Sequence, residues 1–321
     1  MIADPFALFP GVPLIESPIF QSVIDSIGLN DQKRSIAEEL NRKGYAVFDF
    51  PDPELDRRIE GLRRCFVPEC GIRDADASAA KNPTVGRFQD AWRYDDDVRA
   101  IAVNEAVIEL LSKLWGRRAF AFQTLNFPVG TQQHVHTDSV HFSSIPERFM
   151  CGVWVALEDI DAGAGPLCYY SGSHKWPIIS NTMISRRGWQ SELETAQEPY
   201  HDAWNAMVAE HQPPFETFLA KKGQALIWCA NLLHGGSPRT DPTRTRWSQV
   251  THYFFEDCIY YTPVFSDEAL GRLALREVFD VIDGTRKPNL YLGEEILPPP
   301  PEKQKQGLWR AVKTKMRGKA K

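Results

Sequence analysis

The stretch His134-Val135-His136-Thr137-Asp138 sets an imidazole and a carboxylate two positions apart, and His234 follows far downstream in Leu232-Leu233-His234-Gly235-Gly236. On a strand, residues i and i+2 share a face, so His136 and Asp138 are expected side by side, with His234 closing the triangle from a distant strand. Two histidines and one carboxylate on one face of an octahedron leave three positions open, the arrangement used by non-haem Fe(II) oxygenases. His134 lies on the same face, but four residues of strand put it about 13 Å from Asp138, too far to share one ion. A His-x-Asp pair alone is weak evidence, because a chain with eight histidines produces one by chance.

The segments that follow make the pair specific. They are Val153-Trp154-Val155, Gly165-Pro166-Leu167, Gly172-Ser173-His174-Lys175, Lys222-Gly223-Gln224-Ala225-Leu226-Ile227-Trp228, the turn His234-Gly235-Gly236-Ser237, and Arg244 and Arg246 at the head of a strand running to Tyr253. In this order they resemble the phytanoyl-CoA dioxygenase family of Fe(II)- and 2-oxoglutarate-dependent oxygenases, over roughly residues 40 to 255. The resemblance implies iron held by His136, Asp138 and His234. It also implies decarboxylation of 2-oxoglutarate to succinate and carbon dioxide, coupled to hydroxylation of an unactivated C–H in a small organic substrate. A guanidinium meets the distal carboxylate of 2-oxoglutarate with two parallel hydrogen bonds. Arg246 is the candidate, because His252 and Tyr253 match the family's strand ending; Arg244, two residues earlier on the same face, is the alternative. Ser237, offset by one residue from the usual turn, is expected to assist Arg246. Trp154 and Thr137 complete the expected cosubstrate contacts. Thr137 departs from the residues commonest at its position, so phytanoyl-CoA itself is not implied as substrate.

Two other classes compete. A 2-oxoglutarate halogenase needs the carboxylate ligand missing so that halide can bind, and Asp138 is present. A non-catalytic cupin-like binding module would not need Arg246 and Ser237 beside a complete triad. Of the other histidines, His141 either faces substrate or caps a strand, His174 belongs to a structural turn, and His201, His211 and His252 are read as ordinary surface or core residues.

The elements that must position these groups read as follows. Residues 1–30, rich in proline, suggest an extended segment. A helix begins at Asp31 as N-cap and stops at Gly44. Strand Tyr45–Phe50 follows, then helices Glu54–Phe66 and Val98–Trp115, with Arg87–Tyr94 between them as a candidate substrate loop. From Ala119 the texture becomes short strands: Phe120–Phe127, Val135–Phe142, Met150–Leu157, Leu167–Tyr170, Ala225–Trp228 and Trp247–Phe255. These predict a mainly β fold with flanking helices around a double-stranded β-helix, a cupin-like jelly roll. The excursion Trp176–Lys221, with a helical piece over Ser191–His211, is a candidate lid within a single domain spanning 31–297.

Composition is compatible with this and excludes little else. Basic and acidic residues number 37 and 42, which makes no case for nucleic acid, and a mean hydropathy of -0.36 with no long apolar run excludes a membrane-spanning helix. The N-terminus lacks a signal-peptide pattern, and six cysteines without Cys-x-x-Cys spacing read as reduced thiols, so a cytoplasmic enzyme is expected. Residues 303–321, after the proline run from Pro298, carry eight Lys or Arg and no acid. Leu308, Val312 and Met316 give that tail a helical apolar stripe, suited either to weak contact with an anionic membrane surface or acidic partner, or to a solvated tail.

Overall fold

The computed structural model describes residues 5–70, 87–189, 191 and 198–297. The proline run from Pro298 and the basic tail lie outside the described residues, as do residues 192–197 of the candidate lid.

The chain runs α1 (Pro5–Leu8), α2 (Phe20–Ser26), α3 (Asp31–Lys43), β1 (Tyr45–Asp49), α4 (Leu55–Cys70), β2 (Phe88–Gln89), α5 (Asp96–Ala102), α6 (Glu105–Trp115) and β3 (Ala119–Phe127). It continues through β4 (Ser143–Ile145), β5 (Met150–Ala156), β6 (Leu167–Tyr170), α7 (Glu198–His211), β7 (Phe215–Phe218), β8 (Gln224–Cys229), β9 (His234–Gly236), β10 (Ser248–Phe255) and β11 (Ile259–Tyr261). Strands β1-β8-β5-β10-β3-β2 form one six-stranded antiparallel sheet, and β7-β6-β9 form a smaller sheet. The two sheets enclose the jelly-roll interior, with helices against the outer face of the large one.

Strict alternation builds both layers. Along β5, Cys151, Val153 and Val155 join the core beneath the helices, while Trp154 and Ala156 join the core between the sheets. Along β8, Ala225, Ile227 and Cys229 face the helices, and Leu226 and Trp228 face inward. Strands covered on both faces read as nearly continuous apolar runs, as these do. Each fully buried Val, Leu or Phe contributes about 1.5–3 kcal/mol.

Several sequence expectations need correction. The first 30 residues are not simply extended, since α1 and α2 lie within them. Helix α3 is capped by Asn30, whose side chain accepts from the Lys33 amide at 2.9 Å, and not by Asp31; Gly44 ends it with φ 85°. The stretch Val98–Trp115 is two helices, because Asn104 takes a non-helical conformation and caps α6 by accepting from the Val107 amide. Most relevant to the site, Val135–Phe142 is not a strand. Its only ladder contact is an isolated bridge between His136 and His234, after which Asp138–Val140 turns tightly, with the His141 and Phe142 amides both donating to the Asp138 carbonyl. Local turn bonds to the Asp138 carbonyl stand there in place of strand pairing. Conversely, β7 pairs with β6 inside the stretch read as a lid, and β9 occupies what reads as a turn.

Candidate metal and cosubstrate site

The bridge between His136 and His234 places two imidazoles next to each other, with ring centroids 4.6 Å apart. Each ring is held by its own loop. His136 Nδ1–H meets the carbonyl of His134 at 2.8 Å, and His234 Nδ1–H meets that of Leu232 at 2.9 Å. With Nδ1 as donor, Nε2 carries the lone pair in both rings, the tautomer a metal ligand requires, and that of His136 meets the Gln133 side-chain amide at 3.3 Å. The tight turn after His136 swings Asp138 back toward them, with Oδ1 3.7 Å from His136 Nε2 and Oδ2 3.9 Å from His234 Nε2. One ligand atom from each of the three residues lies within 4.8 Å of the others, and all three residues are buried.

Electrostatics suit a cation. Burial, then the neighbouring His234, hold the His136 imidazole well below its usual range, keeping it neutral. Burial pushes the Asp138 carboxyl upward, but His234, His252, His136 and the Trp228 N–H more than offset it, leaving it ionised. A buried carboxylate between two imidazole lone pairs is a nitrogen-and-oxygen donor set that accommodates Fe(II).

These groups open onto a cavity of about 430 Å³ between the sheets, whose wall includes Trp154 and Arg246. Arg246 is 3% exposed, donates from Nη1 to the Gly165 carbonyl at 3.0 Å, and leaves Nε without a partner. Among the described residues no carboxylate pairs with it, and burial pulls its pKa down to about 10. An uncompensated guanidinium in the interior costs several kcal/mol, a cost that an anion bound in the cavity would offset. Arg244, by contrast, points to solvent and pairs with Asp161 and Asp241 at 3.3 Å each. Trp154, 1% exposed, also has an indole N–H without a partner.

Of the expected set, the structure thus gathers His136, Asp138, His234, Arg246 and Trp154 around one cavity, and leaves two residues out of its wall. Ser237 stands beside the Cys168 thiol, and its amide donates to the Pro166 carbonyl at 2.9 Å, continuing the pairing of the small sheet. Thr137 lies between His136 and Asp138, and alternation turns it the other way, onto Ser139 Oγ at 2.9 Å, which donates in turn to Asn231. No described residue of 176–221 lines the cavity. Arg87 and Gln89, from the candidate substrate loop, do line it, as does His141.

Two site residues escaped the sequence reading. His252, taken as ordinary, lies with Nε2 3.7 Å from Asp138 Oδ2 and Nδ1 2.9 Å from Gln123 Oε1. The signal was available: Arg246, Ser248, Val250 and His252 are alternate residues of one strand and share a face. Trp228 donates its indole N–H to Asp138 Oδ2 at 2.8 Å, and only the sheet pairing reveals that contact. Of the described cysteines all five are free and four are buried, as expected for thiols packed in cores. No helix among the described residues is long and apolar enough to cross a membrane.

The family model for phytanoyl-CoA dioxygenase (PhyH) matches residues 41–246. No curated protein sequence matches the chain. Among solved structures, the carbocyclase SnoK from nogalamycin biosynthesis, described as non-haem and alpha-ketoglutarate-dependent, is similar with TM-score 0.56 and 15% identity, over 80% of this chain and 95% of that one. EctD from S. alaskensis, with 2-oxoglutarate and 5-hydroxyectoine, gives TM-score 0.55 and 16% identity over 80% and 85%. The epimerase SnoN, in complex with Fe3+, alpha-ketoglutarate and nogalamycin RO, gives TM-score 0.52 and 18% identity over 71% and 86%. At these identities the likeness is one of fold.

Proposed function

The chain belongs to the phytanoyl-CoA dioxygenase family, and from that premise we propose that it is an Fe(II)- and 2-oxoglutarate-dependent oxygenase that hydroxylates a C–H bond of a small organic substrate. The observation that carries this reading is Arg246: a buried guanidinium with no counter-charge among the described residues, in the same cavity as the His136, Asp138 and His234 donors. A cupin-like module that bound only a metal would bear the cost of that charge for nothing.

In this reading His136 and His234 present Nε2, and Asp138 its carboxylate, to the iron. Arg246 takes the distal carboxylate of 2-oxoglutarate through its two-pronged donor edge, supported by the Trp154 N–H. Leu125, Phe127, Leu167 and Val250 line the apolar space near it, excluding water from the carbon chain of the cosubstrate. When bound, iron and 2-oxoglutarate would let dioxygen hydroxylate the C–H, one oxygen atom entering the product and the other succinate, with loss of carbon dioxide. Gln89, Gln123, His141, Phe142 and Arg87 line the remaining wall, where they orient the substrate by hydrogen bonds and ring contact. The jelly roll over residues 31–297 works as one domain in this account.

Anaerobic addition of Fe(II) and 2-oxoglutarate tests it. A metal-to-ligand charge-transfer band that requires both components is expected; on admitting dioxygen together with a candidate substrate, substrate-dependent succinate release and a product heavier by one oxygen are expected. A chain that binds neither component overturns the reading.

A further inference from the structure

We propose that Trp228 is a positioning residue that pins the Asp138 carboxylate, committing Oδ2 to strand β8 and leaving Oδ1 for the metal; the inference rests on His136, Asp138 and His234 holding iron. The indole N–H lies 2.8 Å from Oδ2, and both side chains are buried. A hydrogen bond to an ionised acceptor in a water-poor site is roughly twice as strong as a neutral one. It therefore competes effectively for one of two otherwise equivalent oxygens. Asp138 needs such a hold, because it sits in a tight turn and not on a ladder that would fix its direction.

The indole itself is fixed by its surroundings. Trp228 pairs in register with Gly152, and a Cβ at position 152 would lie 2.0 Å from ring atom Cζ2. The ring therefore occupies the space that any side chain on Gly152 would fill. Its centroid is 5.1 Å from that of His234, and His252 stands edge-on at 6.0 Å and 87°. One rigid donor thus bears on the carboxylate and packs against the distal histidine, so strand β8 carries part of the metal geometry although it supplies no ligand. His252 Nε2, 3.7 Å from the same oxygen, is beyond hydrogen-bond range and does not duplicate the role.

The test uses the full chain under anaerobic conditions, with Fe(II) and, for spectroscopy, Co(II). Trp228→Phe keeps an aromatic ring and removes only the donor. It is expected to weaken metal binding 10- to 100-fold and to change the Co(II) ligand-field spectrum, with a near-normal melting temperature. Leu226→Ala, on the same face of β8, is the control: it lowers the melting temperature and leaves metal affinity unchanged. A Trp228→Phe affinity within twofold of wild type, or an affinity that falls equally in Leu226→Ala, overturns the proposal. Should the Phe variant not fold, 15N-tryptophan labelling of the wild type with Zn(II) decides instead. A slowly exchanging Trp228 indole proton in the metal-bound form supports the role, and fast exchange overturns it. A wild-type chain that binds none of these ions overturns the metal assignment itself, a result distinct from failure of the Trp228 proposal.

Discussion

His136 and His234 exchange both of their backbone hydrogen bonds, amide to carbonyl, at 2.8 and 2.9 Å. They are separated by 97 intervening residues of chain, yet this single bridge sets the two rings on one side and fixes their spacing before any ion arrives. Preorganisation of this kind is what gives a three-ligand site useful affinity.

Replacing His136, Asp138 or His234 by Ala is therefore expected to abolish Fe(II) binding and substrate-dependent succinate formation, with the fold retained, because the backbone bridge does not depend on the side chains. Anaerobic metal titration and circular dichroism of the three variants check this. Full turnover in any one of them removes that residue from the ligand set.

Arg246 offers a less intuitive outcome. Arg246→Met removes a buried, unpaired charge while keeping most of the volume, so the unliganded protein is expected to be at least as stable as wild type. The thermal shift on adding 2-oxoglutarate should disappear, since a charge-assisted pair worth about 2–5 kcal/mol is lost. Arg246→Lys should recover only part of it, and Arg244→Ala, in solvent, should behave as wild type. Differential scanning fluorimetry with and without cosubstrate compares them. A strongly destabilised Arg246→Met would mean that the guanidinium already has a compensating partner.

Ser237→Ala and Thr137→Ala are expected to leave the apparent 2-oxoglutarate affinity within a few-fold of wild type, because Ser237 stands beside the Cys168 thiol and the Thr137 hydroxyl is engaged with Ser139. Trp154→Phe removes a donor that has no partner in the free protein, so its effect should fall on cosubstrate affinity and not on unliganded stability. Isothermal titration of the three variants separates these cases.

His174 is expected to make the protein acid-sensitive at a point away from the site. Its ring is 1% exposed, with one nitrogen against the Asn41 carbonyl at 3.1 Å and the other without a partner. Burial lowers its pKa from 6.5 to about 4. The folded form therefore resists a proton that the unfolded chain accepts near pH 6.5. Its contribution is complete above that pH and falls by about 3 kcal/mol between pH 6.5 and 4. In His174→Gln the loss of stability over this window should be shallower by one proton's worth, as measured by denaturant unfolding at stepped pH. An unchanged slope would place the titrating group elsewhere.

The amino-acid sequence by itself determined the residue types and their order. Runs rich in Val, Ile, Phe, Tyr and Trp marked β5, β8 and β10 as strands, Gly44 marked a helix end, and the His-x-Asp pair, distal histidine and arginine marked the chemistry. These were legible because each is a local pattern with a local physical cause. Tertiary structure decided what depends on groups far apart in the chain. It broke the expected strand at His136, because turn bonds to the Asp138 carbonyl replaced a ladder. It buried Arg246 in the wall of the cavity and left Arg244 exposed beside Asp161 and Asp241. It also brought Trp228 and His252 onto Asp138, contacts that arise only when sheet register sets side chains of separate strands against the same carboxylate.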